Sequence, residues 1–183
     1  MSMSFIECAG GRRSVRKYKA EKIHDEVLKR IITAASYSPS WKNSQTVRYI
    51  IVEDEMLKNE LAQTCVMDFN PNRDIIMNAP VLILVTTVAN RCGYERDGSF
   101  STGKGTHWES FDAGIATQTL CLAAYAEGLG TVVMGIYDEE KAVRTAKIPE
   151  GRKLSAMVAM GYPDETPVMP KRKTADELTE YRR

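Results

Sequence analysis

The stretch Val81-Leu82-Ile83-Leu84-Val85-Thr86-Thr87-Val88 is the longest apolar run of the 183-residue chain, and its only polar side chains are two threonines. A continuous apolar run of this length predicts a β-strand covered on both faces, because a strand with one wet face alternates apolar and polar residues. The run is far shorter than the ~20 apolar residues that a membrane-spanning helix needs. It therefore predicts a strand buried inside a folded domain.

Helix and strand patterns alternate on both sides of this run. Helical spacing of apolar residues predicts a helix from Ile23 to Ala35 with Asp25 as its N-cap, ended by Ser38-Pro39-Ser40. Further helices are predicted at 54–64, 109–127 and 138–146, and further strands at 47–52, 131–136 and 154–160. Alanines along one stripe of the 109–127 helix predict close approach of another helix, and Gly128 predicts its C-terminal end. The segment 91–107 is predicted as a polar loop and the tail after Pro163 as extended.

Composition and charge exclude several classes of function. Lys and Arg number 25 and Asp and Glu 24, so the net charge of +1 argues against general nucleic-acid or membrane-surface binding. The 43% of hydrophobic residues excludes global disorder. The length favours one domain.

The N-terminus and the cysteines favour a cytoplasmic protein. Met1 to Phe5 lack the charged-then-apolar order of a signal peptide. The four cysteines, at positions 8, 65, 92 and 121, form no Cys-x-x-Cys pair, and only two histidines accompany them. Free thiols in a reducing compartment are therefore expected, and a metal site is not.

Two clusters of cations stand out in this nearly neutral chain. Arg12-Arg13-Ser14-Val15-Arg16-Lys17-Tyr18-Lys19 places five cations within eight residues. Such a concentration suits a phosphate monoester, which carries about −1.5 to −2 charges, with arginine forks and a serine hydroxyl as donors. Lys171-Arg172-Lys173 forms a second cluster in the tail. Taken alone, each cluster is also compatible with a solvated surface.

Two further segments carry possible ligand contacts. Pro39-Ser40-Trp41-Lys42-Asn43-Ser44-Gln45 offers donors and acceptors that could bind the edge of a heterocycle, or that simply form a polar turn after the helix. Gly128-Leu129-Gly130-Thr131-Val132-Val133-Met134-Gly135 ends in a glycine, which lets backbone approach a flat ligand closely. Alone, this second signal is weak.

One phosphate-loop pattern is rejected on its context. Gly98-Ser99-Phe100-Ser101-Thr102-Gly103-Lys104 matches G-x-x-x-x-G-K, but Gly105 follows where the motif needs Ser or Thr to hold magnesium. No predicted strand runs directly into Gly98. A dinucleotide-binding G-x-G-x-x-G after the first strand is missing too.

Taken together, these segments resemble the nitroreductase family of FMN-dependent oxidoreductases, over about residues 10 to 178. Besides the segments above, the matching residues are Asp112-Ala113-Gly114, which opens the long helix, and Gly161-Tyr162-Pro163. The resemblance implies an α+β fold with a mixed, mostly antiparallel sheet flanked by helices. It implies an intertwined homodimer in which residues 1–163 form the FMN-binding domain and 164–183 wrap the partner subunit.

The resemblance also implies roles for individual residues around FMN at the dimer interface. Contacts to the phosphate fall to Arg12, Arg13, Ser14 and Arg16, with two cations of the tail, of which Lys171 and Lys173 are preferred over Arg172. Contacts to the isoalloxazine fall to Pro39, Ser40, Asn43 and Gln45, partly from the other subunit. The strand around Val133, Met134 and Gly135 is expected beside the reactive nitrogen, and Arg73 near the pyrimidine.

The activity implied is transfer of hydride from NADH or NADPH through FMN to a small nitroaromatic, quinone or similar acceptor, in a ping-pong sequence. The flavin N5 carries that chemistry, so no catalytic acid or base is assigned. A specialised member such as a reductive dehalogenase, and a flavin-binding redox module without turnover, stay open as alternatives. Trp41-Lys42 and Thr46 depart from the family pattern beside the ring. The resemblance therefore assigns the cofactor but not the substrate pocket.

Overall fold

The structure, a computed structural model, describes residues 3–183. Four strands form one sheet: β1 Val47–Val52, β2 Val81–Val88, β3 Gly130–Met134 and β4 Arg152–Gly161. The α-helices are α1 Phe5–Gly11, α2 Asp25–Ser36, α3 Glu55–Thr64, α4 Asn70–Asn78, α5 His107–Ala126, α6 Glu139–Thr145 and α7 Ala175–Leu178. A single 3₁₀ turn, Trp41–Asn43, precedes β1.

The central position of β2 follows from its apolar sequence. The strand order is β1-β2-β4-β3, and every strand pair is antiparallel. Successive side chains of β2 point to opposite faces, so Leu82 and Leu84 enter one core and Val81, Ile83 and Val85 enter the other. The prediction of a strand covered on both faces is confirmed.

The two cores have different covers. On one face α2 packs on α5, where Ile31 and Ala35 join Leu120 and Ala124 in the same buried cluster. The small residues of α5 permit this approach, as the alanine stripe predicts. The opposite face is covered by α3, α4 and α6, together with Val15 and Tyr18 from the N-terminal segment.

The segment after α1 runs along the free edge of β3. Ser14 forms a parallel bridge with Thr131, and the Val15 N–H donates to the Thr131 carbonyl at 3.0 Å. Gly130 makes this approach possible, because a Cβ there would lie 2.6 Å from Val15. This bridge gives the otherwise antiparallel sheet its mixed character.

Several predicted boundaries shift and three helices are additional. One of them, α7, is a single turn with a Thr174 capping box inside the tail that was expected to be extended throughout. α1 and α4 were not predicted, because two glycines end the first and a proline lies in the first turn of the second, so neither shows a clear helical period. β3 ends at Met134 rather than at Ile136, and β4 starts at Arg152. His24, not Asp25, holds the N-cap position; Asp25 lies in the first turn, where its charge favours the helix dipole.

The C-terminal tail leaves the rest of the chain after Glu165. The Glu165 carboxylate accepts the N–H groups of Arg16 and Lys17 at 2.5 and 3.2 Å. From Val168 to the end every residue is exposed, and Val168 is 90% accessible although it is apolar. Within residues 3–183 no helix is long and apolar enough to cross a membrane.

Candidate functional site

The basic segment Arg12–Lys19 presents charge that the subunit does not neutralise. Across residues 3–183, no carboxylate forms an ion pair with the side chains of Arg12, Arg13 or Arg16; the ion pairs lie elsewhere. The Arg13 guanidinium donates to the carbonyls of Gly10 and Arg12, both at 2.7 Å. Since backbone contacts to β3 fix the segment, its cations are positioned and free to bind an anion.

The polar segment 38–46, between α2 and β1, has an unusual backbone. Lys42, Asn43 and Gln45 have φ angles of 45°, 52° and 47°, in the left-handed region that non-glycine residues rarely adopt. Each such residue costs of order 1 kcal/mol, so the surroundings must hold the turn in place. Part of that support is the Ser40 Oγ, which accepts the Gln45 N–H at 2.9 Å.

Asp112 on α5 connects this turn to the helix by a hydrogen bond. Its carboxylate, 2% exposed, accepts the Trp41 N–H at 2.9 Å and the Cys92 thiol at 3.0 Å through the same oxygen. Burial, followed by the hydrogen bond and charge of Asp112, raises the pKa of Cys92 to about 12, so the thiol stays protonated and donates. One turn earlier, Glu109 binds the Asn90 N–H at 2.8 Å and the Lys153 ammonium at 2.7 Å.

Two hollows flank the N-terminal half of α5. The first, of about 380 Å³, lies between α2, α5 and β1 and is lined in part by Pro39, Ser40, Gln45 and Asp112. The second, of about 320 Å³, lies between α5 and the β3–β4 edge and is lined in part by Ser110, Gly114 and Val133. A Cβ at Gly114 would meet nothing within 4 Å, so the space beside this helix is open.

Buried hydroxyls near these hollows lack partners within the subunit. Ser38 and Thr46 lie on the rim of the first hollow, and Thr131 lies beside the basic segment; the side-chain oxygen of each is buried without a hydrogen bond. Buried polar groups are rarely left in this state, so each is a candidate to meet a ligand, a water or another subunit.

The β3 residues of the expected ring site differ in orientation. Val133 is 50% exposed and lines the second hollow, and Gly135 is exposed just after the strand. Met134 points into the core and is 3% exposed, so only its backbone can face a ligand. The alternation of a strand forces this difference between neighbours.

Arg73 is brought next to the end of β3. The Asn72 amide donates to the Ile136 carbonyl at 3.1 Å, which ties the first turn of α4 to the residue after Gly135. The Arg73 side chain is partly exposed and contacts Asp74 at 3.1 Å.

The subunit does not bring all expected site residues together. β1 and β3 are opposite edges of the sheet, about 14 Å apart at three strand spacings, so segment 38–46 and the basic segment lie far apart. Lys171 and Lys173 lie in the exposed tail. Within one subunit, these residues do not form a single site.

The sequence analysis overlooked three residues at the start of α5. Asp112 was quoted only as part of a motif, and Trp108 and Phe111 were not singled out. The sequence does contain a signal for Asp112. Glu109 and Asp112 are acids three residues apart on a helix that is otherwise rich in small apolar residues, which indicates that they have buried partners. The Gly98–Lys104 pattern forms turns in the structure and cradles no helix N-terminus of its own.

The donor set fits FMN. An unpaired cation cluster suits its phosphate, and the exposed amides of Asn43 and Gln45 suit the carbonyls and N–H groups of its ring. No group of three or more His, Cys, Asp or Glu within residues 3–183 is arranged to hold a metal ion.

Comparisons with known proteins establish the family of this chain. The family model described as "Nitroreductase family" matches residues 9–73 and 67–162. A protein of Methanothermobacter thermautotrophicus, provisionally named NADH dehydrogenase/NAD(P)H nitroreductase, is 31% identical over 170 residues, which are 90% of this chain and 80% of that protein. The iodotyrosine deiodinase of Thermotoga neapolitana is 26% identical over 179 residues, covering 87% and 88%.

A solved structure extends the comparison to the fold. The NADPH:FMN oxidoreductase of Vibrio harveyi, solved in complex with NAD⁺, superimposes with a TM-score of 0.80 at 26% identity, covering 97% of this chain and 76% of that one. The chain belongs to the nitroreductase family, as its motifs predict. It is therefore an oxidoreductase with the α+β fold that the sequence implies.

Proposed function

We propose that the protein is an FMN-dependent oxidoreductase that takes hydride from NADH or NADPH and reduces nitroaromatic, quinone or similar acceptors in a ping-pong sequence. The observation that carries this proposal is the basic segment, whose cations are fixed along β3 and have no carboxylate partners in the described part of the chain. The names of the Vibrio and Methanothermobacter relatives support the cofactor and the electron donor.

The residues of this chain would hold FMN in three places. Arg12, Arg13, Ser14 and Arg16 bind the phosphate, joined by Lys171 and Lys173. Pro39, Ser40, Asn43 and Gln45 contact the ring edge, while Val133, Gly135 and the Met134 backbone lie near its reactive side and Arg73 near its pyrimidine. When bound, FMN supplies two-electron transfer. The protein's part is to orient the ring and to leave one face open for donor and acceptor in turn.

The site is completed by a second copy of the chain. Segment 38–46 and the basic segment occupy opposite sheet edges, so one subunit contributes its β1 edge and the other its β3 edge. Residues 164–183 form the extension that wraps the partner, because the exposed apolar side chains of the tail find no cover on their own subunit. Domain 1–163 forms the body of each subunit.

A specialised dehalogenase is the second candidate function. The match to the Thermotoga iodotyrosine deiodinase supports it. Release of iodide from 3-iodotyrosine, measured with NAD(P)H or a chemical reductant, distinguishes the two activities.

The test removes the phosphate contacts without touching the fold. Arg12→Ala/Arg16→Ala should bind FMN at least a hundredfold more weakly, because a hydrogen bond to a charged group contributes about 1.5–3 kcal/mol. Lys22→Ala/Lys29→Ala is the matched control, because it removes two exposed cations that lie outside the basic segment. Flavin absorbance after gel filtration reports occupancy. Full occupancy in the arginine variant would refute the phosphate assignment.

Truncation after Met169 tests the extension. The shortened chain should lose both dimerisation and flavin, measured by analytical ultracentrifugation and absorbance. A stable flavin-loaded dimer without residues 170–183 would contradict the wrapping role.

A further inference from the structure

Three aromatic rings and one lysine form a group at the start of α5. The Trp41 and Trp108 rings lie 4.4 Å apart between centroids, and Phe111 meets Trp108 edge-on at 5.5 Å. The Lys104 ammonium lies 4.5 Å from the Trp108 centroid and 5.6 Å from the Phe111 centroid. These four residues are called the aromatic–lysine cluster below.

The lysine of the cluster is positioned but not neutralised. No carboxylate among residues 3–183 forms an ion pair with Lys104, whereas neighbouring Lys42 is bound to Glu95 at 3.0 Å. A ring face attracts the ammonium electrostatically and leaves its N–H groups free to donate. Lys104 is therefore a fixed cation with unused hydrogen-bonding capacity.

Contacts from the surrounding loop fix the geometry of the cluster. The Trp108 indole N–H donates to the Thr102 hydroxyl at 2.8 Å. Gly93 packs so closely that a Cβ there would lie 3.0 Å from the Trp108 side chain. The backbone N–H of Trp41 donates to the Asp112 carboxylate at 2.9 Å. The rings of the cluster therefore have fixed positions before a ligand binds.

The cluster lies near the second hollow through Phe111, although none of its four residues lines that hollow. Phe111 is 53% exposed, and Gly114 follows it by three residues on the same side of α5. Gly114 and Ser110 line the hollow together with Val133, which the proposed function places beside the flavin. Phe111 therefore neighbours two residues that line the hollow, and the Lys104 ammonium lies 5.6 Å from the Phe111 ring centroid.

We propose that the aromatic–lysine cluster binds the acceptor and selects aromatic acceptors that carry an anionic group such as a carboxylate. The acceptor ring packs on Phe111, and its carboxylate accepts hydrogen bonds from Lys104. This inference rests on the proposed function, since it names the substrate class of that same site. The cluster binds and orients; it exchanges no electron or proton.

The test compares two acceptors that differ in charge. Reduction of 4-nitrobenzoate, or of its neutral methyl ester, to the nitroso compound consumes one NAD(P)H and one proton and releases NAD(P)⁺ and one water. In the flavin-loaded enzyme, Lys104→Met should lower kcat/KM for 4-nitrobenzoate relative to the ester by about tenfold, the effect of one charge-assisted contact. Intrinsic reactivity cancels because each ratio is compared with that of the wild type.

Two controls separate charge recognition from a structural role. Arg96→Met removes an exposed cation from the same loop and should leave the ratio unchanged, and Lys104→Arg should keep most of the preference. An unchanged ratio in Lys104→Met would overturn the inference. So would an equal loss with both acceptors, since that pattern indicates damage to the cluster rather than loss of an anion contact.

Fluorescence supplies a readout that needs no turnover. Trp41 and Trp108 are the only tryptophans of the chain, so tryptophan emission, excited at a wavelength where the tyrosines do not absorb, reports on this cluster. Quenching by 4-nitrobenzoate, corrected for absorption, should give a dissociation constant about tenfold higher in Lys104→Met. If the wild type oxidised no NAD(P)H with either acceptor, the proposed function would be refuted. The fluorescence titration with 4-nitrobenzoate would still test the cluster.

Discussion

The two edges of the sheet hold their functional segments by different means. At the β3 edge, the basic segment is held mainly by backbone contacts, through the bridge at Thr131 and hydrogen bonds with Tyr162 and Asp164, and the Glu165 carboxylate adds two more. At the β1 edge, the left-handed turn 41–45 is fixed by a side chain from elsewhere, Asp112. A segment held by several backbone contacts keeps its position when one side chain changes. The turn 41–45 has local support from Ser40, but its connection to α5 depends on Asp112.

The largest effect should come from removing that carboxylate. Asp112→Ala leaves the Trp41 N–H and the Cys92 thiol as buried donors without an acceptor, and releases the turn. We expect a loss of about 3 kcal/mol in the free energy of unfolding, together with loss of flavin. Chemical denaturation and absorbance measure the two.

Asp112→Asn is the matched control, because it keeps a carbonyl oxygen for the Trp41 N–H. It should retain most of the stability. If Asp112→Ala were as stable as the wild type, the two edges would not differ in the way described.

A steric clash should destabilise the contact between the basic segment and the β3 edge. Gly130→Ala places a Cβ 2.6 Å from Val15 and pushes the basic segment off the sheet. We expect a loss of about 2 kcal/mol and weaker FMN binding. Gly135→Ala, with nothing within 4 Å of its Cβ, is the control for stability. Equal thermal midpoints for these two variants would show that Val15 can move freely.

Alkaline pH should loosen the β3 edge through Tyr18. Its hydroxyl donates to the Val15 carbonyl at 2.5 Å, and burial raises the pKa of Tyr18 well above its usual range. Because the folded-state pKa exceeds the unfolded one, this stabilisation is complete below about pH 10 and is lost as the pH rises above that value. Tyr18→Phe should cost about 1 kcal/mol at neutral pH and flatten the alkaline decline in stability. An equally steep decline in Tyr18→Phe would assign it to other groups.

The smallest effect concerns a single thiol at the β1 edge. In the native protein Cys92 should resist maleimide labelling at neutral pH, because it is buried and its pKa is raised to about 12. In Asp112→Asn the charge that helps to raise this pKa is gone, so labelling should be faster. Mass spectrometry of timed samples measures the rate, and equal rates in both proteins would remove Asp112 as a cause.

The sequence predicted the parts of this fold that depend on local pattern. The continuous apolar run of β2, the period of α2 and the alanines of α5 each report burial directly, so these elements lie where they were expected. α1 and α4 were missed because each is short and carries glycine or proline, and their helical state depends on packing. The prediction of Asp25 as the N-cap was wrong by one residue, because the sequence pattern does not distinguish the N-cap position from the first position of the helix.

The sequence singles out a candidate site only where its composition is unusual. Five cations in eight residues mark the basic segment whatever its neighbours are. Asp112 could not be assigned its role, since the contact to Trp41 spans 71 residues and arises only from tertiary packing. Lys104 was hidden inside a false phosphate-loop pattern, and only the structure places it on Trp108.

The burial of all four cysteines has a consequence for the working life of the enzyme. When a flavin-dependent oxidoreductase meets dioxygen, partial reduction of the dioxygen gives hydrogen peroxide. Peroxide attacks the thiolate form of cysteine, and burial raises the pKa of Cys8, Cys92 and Cys121. Thiols that stay protonated and covered let the chain tolerate the oxidant that its own chemistry can release, without needing a repair system for itself.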